Sequence, residues 1–413
     1  MFRFAASTLP VTLQRMGLVA MACTVAALSA CGGGDRAKAY QPSRIVSFGD
    51  ENSAIDTYTD SGTVHLKNPD GSAATFKGLV YTINTISGFV GPYVCANQAS
   101  PLKKCTATDT TLTFDTANAA TLPTDYAVFV DASTGSSANM FTTIVHDATN
   151  NSQQTTDTVY SCVTSSIWVQ VIAHSFGLGY KTNCPADSDG AVTYATYQAR
   201  VSDVVGQVSA HRGELGSGVL VTMMAGQRDI LDMYDLVQGG SMSQASAEAE
   251  LKNRAGTLAN AVKDIISTGA KVVLSLTPDL GQSPKALAGN QALLSDLTKV
   301  FNDTLYITNL GNQSGRNLAG VNPEPFTEPS VRSTAYYYDA GACDQTQAKH
   351  PGDPSGAYEP NADLAVKFCT GSTLVPDVAT NTLVYMWADQ THFTPSGHGL
   401  IGSAGYNRAY NQF

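Results

Sequence analysis

Short, mostly apolar segments alternate with helical patterns along the second half of this chain. Residues 218–226 (GVLVTMMAG) and 271–278 (KVVLSLTP) are continuous apolar runs of strand length, which is typical of strands buried on both faces. Between residues 197 and 211, valines recur at the i, i+3, i+4 and i+7 positions from Val201, which indicates a helix with one apolar face. Such alternation predicts a parallel sheet in an α/β arrangement with right-handed crossovers.

Polar motifs follow three of the predicted strands. RIVSFGD at 44–50 contains the first strand, AGQRD at 225–229 ends the next, and DQTH at 389–392 follows a strand that begins in LVYMW. Ligand sites of parallel α/β sheets lie at the carboxyl ends of the strands. In the last motif, Asp389 precedes His392 by three residues, and a carboxylate so placed can hold the imidazole in the tautomer of a general base. We therefore expect a functional site at this edge.

The N-terminal segment has the features of an export signal. Two arginines accompany the apolar run at 16–28, which is too short to span a bilayer comfortably. The sequence LSAC that ends at Cys31 resembles a bacterial lipobox, which implies cleavage before Cys31 and lipidation of its thiol. The alternative is an ordinary cleaved signal with a chance cysteine. Gly32 rather than Asp follows Cys31, so we expect a lipid-anchored protein of the bacterial cell envelope, at the outer membrane.

The chain divides into three parts on this basis. Residues 1–30 are a lipoprotein signal peptide, residues 31–43 are a Gly-rich tether, and residues 44–413 form one domain. Within that domain, residues 57–160 are rich in Thr, Asp, Asn and Gly and contain short β-like runs, so we predict a β-rich or loopy insertion there.

Composition excludes some classes of protein. Hydrophobic residues make up 43% of the 413 residues and charged residues 14%, which is ample for a buried core and argues against disorder. The net charge is −10 and no basic stripe is visible, so a nucleic-acid partner is not expected.

Six cysteines remain after the signal peptide and the lipidation site are set aside. An even number of cysteines in an exported chain indicates disulfides. Pairing between sequence neighbours gives 95–105, 162–184 and 343–369, among the 15 connectivities that six cysteines allow. Metal binding is the weaker alternative because neither C-x-x-C nor H-E-x-x-H occurs, so we expect no metal and no cofactor.

The three strand-end motifs together resemble the conserved blocks of the SGNH/GDSL hydrolases, in the branch of secreted and autotransporter-type lipases and esterases. Block one of that family is Phe-Gly-Asp-Ser-Leu-Ser-Asp, and this chain has FGDENSA at 48–54. Block three is Gly-x-Asn-Asp, and here 226–229 is GQRD. Block five is Asp-x-x-His-Pro-Thr, and here 389–394 is DQTHFT. Block two, Asn-x-Ala-x-Gly-Gly-Ala, is matched more loosely by NCPADSDGA at 183–191.

The resemblance implies a fold and a set of roles. The fold is a flavodoxin-like, three-layer α/β/α domain with a parallel sheet. His392 is then the base and Asp389 orients it. Gly190 is the backbone oxyanion donor, and Gly226 and Asp50 belong to the pocket. A turn-stabilising role for Asp50 is the stronger expectation for that residue.

Two departures from the family pattern concern the reaction itself. Glu51 stands where the nucleophilic serine is expected, and Arg228 stands where the oxyanion-hole asparagine is expected. Because both side chains project into one pocket in the family fold, we hypothesise that Glu51 and Arg228 form an ion pair. Ser53 is an alternative nucleophile, although a cap or pocket-wall role is favoured. A carboxylate pair of Asp50 or Glu51 with Asp229, for glycoside chemistry, is a weaker candidate.

The resemblance therefore implies a hydrolase of carboxylic esters with an atypical or degenerate nucleophile. Its partner would be an ester-bearing lipid or an acylated small molecule or glycan, with the membrane contacted through the lipid anchor. The competing hypothesis is a catalytically silent lipoprotein of this fold that binds glycan, lipid or protein. A carbohydrate O-deacetylase is a minor alternative.

Overall fold

The computed structural model of the protein describes twelve stretches of the chain. They are residues 40–59, 75–89, 93–94, 104–105, 158–162, 164–185, 187–313, 315–328, 334–346, 362–371, 373–379 and 383–413. The predicted signal peptide, Cys31 and most of the predicted tether lie outside these residues. Their assignment, like the domain boundaries, stays a prediction.

Strands and helices follow one another along the described chain. The strands are β1 Arg44–Gly49, β2 Asp56–Thr59, β3 Thr75–Leu79, β4 Ile86–Phe89, β5 Tyr93–Val94, β6 Lys104–Cys105, β7 Thr158–Tyr160, β8 Ala191–Thr193, β9 Val219–Met224, β10 Lys271–Ser275, β11 Leu318–Val321, β12 Tyr336–Gly341 and β13 Val384–Trp387. The α-helices are α1 Trp168–Ser175, α2 Val201–His211, α3 Gln227–Gln238, α4 Gln244–Ser267, α5 Pro284–Leu287, α6 Gln291–Asn302, α7 Glu324–Thr327, α8 Ala362–Ala365 and α9 Pro395–Gln412. A single 3₁₀ turn, Glu51–Ser53, follows β1 directly.

Five parallel strands form the main sheet in the order β11-β10-β9-β1-β8. Counted along the chain within this sheet, the order is 5-4-3-1-2, which is the flavodoxin-like doubly wound order. The predicted parallel α/β fold is confirmed. The strand order reverses between β1 and β9, and the crevice beyond the carboxyl ends of those strands is where ligand sites of such sheets form.

The main sheet is buried on both faces because its strands are apolar at almost every position. All six residues of β9 are buried, as the continuous run predicts. Alternate side chains such as Val46, Phe48 and Val221 face a core shared with α2, α3, α4 and α6. On α2 the predicted stripe is present, with Val201 and Val208 buried. Helices α1 and α9 pack against each other as a second group.

One predicted strand belongs to a different sheet. The run LVYMW forms β13, as expected, but β13 pairs in parallel with β12 in a separate two-stranded sheet rather than with the main sheet. An apolar run specifies a buried strand but not its hydrogen-bonding partner. This short sheet still delivers Asp389 to the same edge as Glu51, since β13 ends at Trp387.

The region predicted as an insertion supplies a second, mixed sheet in the order β2-β3-β7-β4. Its connection to the main domain includes Tyr81, Thr82 and Asn84, all buried. Two of the short β-like runs in this region, TVHLK at 63–67 and YAVFVD at 126–131, lie outside the described residues.

Among the described residues, disulfides join Cys162 to Cys184 and Cys343 to Cys369, as sequence-local pairing predicts. Cys95, the proposed partner of Cys105, lies outside the described residues. Within the described part of the chain, no helix combines the length and hydropathy needed to cross a bilayer.

Candidate active site

The first strand delivers Glu51 to the carboxyl edge of the main sheet. Gly49, the last residue of β1, has φ = +144°, and a Cβ there would overlap the Met224 carbonyl of the neighbouring strand. Glycine therefore lets β1 and β9 stay paired to their ends while the chain turns sharply. The turn that follows buries Glu51 to 4% exposure.

A buried hydrogen-bonded pair of Asp389 and His392 faces that turn. Asp389 Oδ2 lies 2.7 Å from His392 Nδ1, and Asp389 Oδ1 accepts the backbone N–H groups of Thr391 and His392. The carboxylate thus fixes both the loop and the imidazole, and the other ring nitrogen, Nε2, is directed away from it. This is the arrangement that the Asp-x-x-His spacing predicts.

Glu51 occupies the space in front of His392. Its Oε1 lies 3.5 Å from His392 Nε2, an ion-pair distance that is too long for a well-formed hydrogen bond. Its Oε2 accepts the backbone N–H of Gln198 at 2.9 Å. Asp389, His392 and Glu51 therefore form a line of carboxylate, imidazole and carboxylate, in which the second carboxylate stands where a serine nucleophile would be expected.

These contacts determine the charge of the pair. Burial alone lowers the pKa of His392, but the charge and hydrogen bond of Asp389 and the charge of Glu51 outweigh it, so the pKa lies well above its usual value. Burial raises the pKa of Asp389, but the His392 charge and the hydrogen bonds to the carboxylate outweigh it, so that pKa lies below its usual value. These pKa directions favour the ion pair of the His392 imidazolium with the Asp389 carboxylate, with Glu51 on the other side of the ring.

Ser53 is not placed as a nucleophile for His392. Its Oγ accepts the indole N–H of Trp168 at 3.1 Å, and its carbonyl accepts the hydroxyl of Thr193. Among the described residues His392 Nε2 has no hydrogen-bond partner, Ser53 included. The alternative nucleophile is therefore contradicted by the geometry, and the pocket-wall role that was favoured for Ser53 agrees with it.

Gly190 does not reach the site. It precedes β8, and its carbonyl accepts the N–H of Ile45 near the start of β1. The five residue steps of β1 from Arg44 to Gly49 span roughly 16 Å, so Gly190 lies at the opposite, amino-terminal edge of the sheet. The prediction that Gly190 donates to an oxyanion is wrong, because the loose match at 183–191 was aligned one strand too early.

Gln198 supplies the backbone N–H that the sequence analysis assigned to Gly190. It has φ = +54°, a left-handed conformation that favours glycine, and this turns its N–H toward Glu51. Residues 193–199 (TYATYQA) keep the two alanines of Asn-x-Ala-x-Gly-Gly-Ala at the right spacing, with Tyr197 and Gln198 at the glycine positions. The paired alanines, Ala195 and Ala199, are the signal that could have located this block.

Arg228 does not pair with Glu51. Gly226 directly precedes helix α3 as its N-cap, with φ = +114°, and a Cβ there would overlap the ring of Phe301. Two residues later, Arg228 Nε lies 2.9 Å from Asp232 Oδ1, an ion pair along the helix rather than an aligned hydrogen bond. The ion pairs among the described residues do not include one between Glu51 and Arg228, so that hypothesis is contradicted.

Asp229 and Asp50 make structural hydrogen bonds around the turn at Glu51–Ser53. Asp229 is buried and accepts from the N–H of Val201 and from Arg254, which leaves it unsuited to a glycoside mechanism with Glu51. Asp50 Oδ1 accepts both the N–H and the side-chain amide of Asn52 at 3.1 Å, which is the turn-stabilising role expected. Burial, and then the charge of Glu51, raise the pKa of Asp50 well above its usual value.

Two stacked tyrosines line the site. The rings of Tyr81 and Tyr197 are parallel within 6° and 5.0 Å apart, and the Tyr81 ring centroid lies 6.3 Å from that of His392. The Tyr81 hydroxyl donates to Asp56 at 2.7 Å, and Asp56 also pairs with Lys367. Tyr81 is buried and Tyr197 is half-buried.

Two features could extend the site around Glu51 and His392, a set of metal ligands and a neighbouring cavity. In the described stretches, no group of three or more His, Cys, Asp and Glu side chains is placed to hold a metal ion. One cavity of about 450 Å³ lies beyond the ends of β10 and β11, around Leu276, Tyr306 and Val321, and is not lined by Glu51 or His392.

Comparison with known proteins gives matches only among solved structures, and three of them show low sequence identity. No protein-family profile matches the chain, and no curated protein sequence matches it. A member of the lipolytic G-D-S-L family from Veillonella parvula is 11% identical, with a TM-score of 0.32, covering 58% of this chain and 86% of its own. The α/β hydrolase LAE5 from the Lake Arreo metagenome is 14% identical (TM-score 0.32; 60% and 82% covered). The acetylxylan esterase Axe2 from Geobacillus stearothermophilus is 12% identical (TM-score 0.30; 59% and 80% covered).

The strand order of the main sheet indicates the same architecture as the contacts among the motifs at 48–54, 226–229 and 389–394. The motif at 48–54 contacts that at 389–394 through Glu51 and His392, and Asn52 Nδ2 donates to Gln227 Oε1 in the motif at 226–229. This chain has an SGNH-hydrolase-like fold, with a glutamate where that fold is expected to carry its nucleophilic serine.

Proposed function

We propose that this protein is a catalytically silent lipoprotein of SGNH-hydrolase-like fold, which functions by binding rather than by cleaving esters. The observation that carries the proposal is the position of the Glu51 carboxylate. One oxygen faces His392 Nε2 at 3.5 Å, and the other accepts the N–H of Gln198 at 2.9 Å.

Serine-type ester hydrolysis needs three groups that Glu51 replaces or occupies. It needs a hydroxyl nucleophile, an imidazole free to take the proton of that hydroxyl, and an N–H free to stabilise the oxyanion. The hydroxyl is replaced, His392 is held as a cation, and the N–H of Gln198 already has an acceptor.

Direct attack by Glu51 on an ester is unfavourable for a chemical reason. A carboxylate is a much weaker base than the alkoxide that it would have to expel, and the product would be an anhydride. Both carboxylate oxygens are also engaged, and the side chain is only 4% exposed. Ester hydrolysis remains the competing function because the pair of Asp389 and His392 is complete, and it is tested directly.

The test is hydrolysis of p-nitrophenyl acetate by the soluble domain from residue 40 onward. We expect the wild type to hydrolyse this ester no faster than His392→Ala, and a fluorophosphonate probe of active serines to leave the wild type unlabelled. A wild-type rate tenfold or more above that of His392→Ala would overturn the proposal, since a working general base contributes at least about 10²-fold. Glu51→Ser serves as the positive control for the scaffold, with a gain in rate expected.

The envelope location belongs to the same proposal and is supported by LSAC at residues 28–31. The full-length protein should fractionate with membranes and incorporate a labelled fatty acid, and Cys31→Ser should do neither. Equal membrane association of the two forms would contradict the lipid anchor.

A further inference from the structure

Glu51 is held in the manner of a bound ligand. Its two carboxylate oxygens contact two groups that come from different parts of the chain, the backbone N–H of Gln198 and the imidazole of His392. The N–H is aimed by a left-handed backbone at Gln198, and the imidazole is fixed from behind by Asp389 at 2.7 Å. Both donors are therefore positioned by contacts that do not involve Glu51.

The charge balance of the site depends on this carboxylate. His392 and Glu51 are exposed by only 5% and 4%, so the imidazolium has little access to water. A buried ion that loses one partner is left with an uncompensated desolvation cost. Truncation of Glu51 would leave an N–H without an acceptor and an imidazole without its second charged neighbour, which is a site that favours an anion able to accept a hydrogen bond from the N–H and to pair with the imidazole.

The surrounding walls limit the size of such an acceptor. The Tyr81 ring lies beside His392, Tyr197 stacks on Tyr81, and the Tyr81 hydroxyl is tied to Asp56. Trp168 and Ser53 close the turn on another side through their hydrogen bond. The space vacated by the Glu51 side chain is about that of a two-carbon acid.

We propose that Gln198 N–H and the His392 imidazole form a receptor for a small carboxylate, and that Glu51 is its built-in occupant. When Glu51 is truncated, the receptor binds a free short-chain monocarboxylate, with acetate as the best fit. The inference rests on the proposed function, because a site engaged in ester hydrolysis would not hold Glu51 in this way.

The experiment measures the thermal unfolding of Glu51→Ala with added acetate. We expect Glu51→Ala to unfold at a lower temperature than the wild type, and acetate at ten times its dissociation constant to raise its Tm by about 2 °C. Sodium chloride at equal ionic strength should not reproduce the shift, and bulkier benzoate should give a smaller one. Titration calorimetry should show one acetate per chain for Glu51→Ala and none for the wild type.

Two further variants identify the receptor. Glu51→Ala combined with His392→Ala should lose the acetate response. The matched control is Glu214→Ala, because Glu214 also pairs with a histidine, His211, at 2.8 Å but on the surface, and it should show no acetate response.

Absence of an acetate effect on folded Glu51→Ala, or an equal effect of chloride, would overturn the proposal. If Glu51→Ala does not fold, Glu51→Ser is used in the same assay. If neither folds, refolding in 100 mM acetate is the readout, and recovery supports the receptor while no recovery rejects it. These outcomes are separate from the test of catalytic silence, which fails if the wild type hydrolyses esters through His392.

Discussion

At the scale of single residues, the site is defined by one cation between two carboxylates. His392 contacts Asp389 through one ring nitrogen and faces Glu51 with the other. Buried ion pairs contribute to stability only while each charge keeps its partner. The protonation of His392 should therefore be visible in the stability of the whole domain.

The first prediction is that the free energy of unfolding falls as the pH rises above about 6.5. The folded-state pKa of His392 is raised well above its unfolded value, so the proton binds the folded state more tightly. This stabilisation is fully present below the unfolded pKa of about 6.5 and is lost as the pH rises through the folded-state pKa. The slope from one group is at most about 1.4 kcal/mol per pH unit. Urea unfolding between pH 6 and 9 measures it.

The control for this prediction is His392→Gln, which should be less stable than the wild type below pH 6.5 and should show a flatter dependence above it. Other titratable groups change the free energy of unfolding in other pH ranges. His398, whose pKa burial lowers to about 3, makes the folded state less stable as the pH falls from about 6.5 toward 3. Equal slopes for the wild type and His392→Gln above pH 6.5 would show that His392 is not the titrating group.

The residue types in the sequence were enough to identify some groups of the site but not others, and the difference has a physical reason. Asp389 and His392 were identifiable because both use side chains at a spacing that a turn brings together. Gln198 was not, because it acts through its backbone N–H, which every non-proline residue has. Glu51 was identified by position, yet its partner was predicted as Arg228 because complementary charge in sequence says nothing about side-chain direction.

At the scale of secondary-structure elements, hydrophobic periodicity predicted whether a segment forms a helix or a strand. It did not predict which strands pair with each other. The run 218–226 and the valine pattern from Val201 gave β9 and α2 as expected. Strand β13 was also expected, but its pairing with β12 was not, because partner choice depends on contacts distant in sequence. Helix α6 continues into a π-helix at Asp303–Thr308, which the periodicity of apolar residues does not mark.

The contact between the 3₁₀ turn and α1 gives the second prediction. Trp168 begins α1 and is fully buried, and its indole N–H donates to Ser53 Oγ at 3.1 Å. Ser53→Ala leaves that N–H buried without an acceptor, so it should lower the free energy of unfolding by about 1–3 kcal/mol. The exposed Ser217→Ala should stay within about 0.5 kcal/mol of the wild type in the same urea titration.

The Ser53→Ala variant also tests whether Ser53 is the nucleophile. Since Ser53 holds a helix rather than facing His392, Ser53→Ala in the Glu51→Ser background should destabilise the protein without removing the catalytic hydroxyl. Loss of stability without change in the rate per folded molecule agrees with this role. Unchanged stability together with a loss of all esterase activity would assign Ser53 as the nucleophile.

At the scale of the whole molecule, the site is assembled from separate sheets that disulfides hold together. The main sheet supplies Glu51, the loop after the two-stranded sheet supplies His392, and the segment after β3 supplies Tyr81. Cys343 donates its N–H to the carbonyl of Ala388, directly before Asp389, and is bonded to Cys369. That disulfide therefore supports the loop that carries the histidine.

The third prediction distinguishes the two disulfides. Each closes a loop of similar length, with sequence separations of 22 and 26, so Cys162→Ala with Cys184→Ala, and Cys343→Ala with Cys369→Ala, should each cost about 3 kcal/mol of unfolding free energy. Only the second pair adjoins the loop of Asp389. Its removal alone should also flatten the dependence of stability on pH above 6.5, because the imidazole then loses its fixed position between the carboxylates. Equal pH profiles for the two double variants would show that the loop is held by its own hydrogen bonds and not by the disulfide.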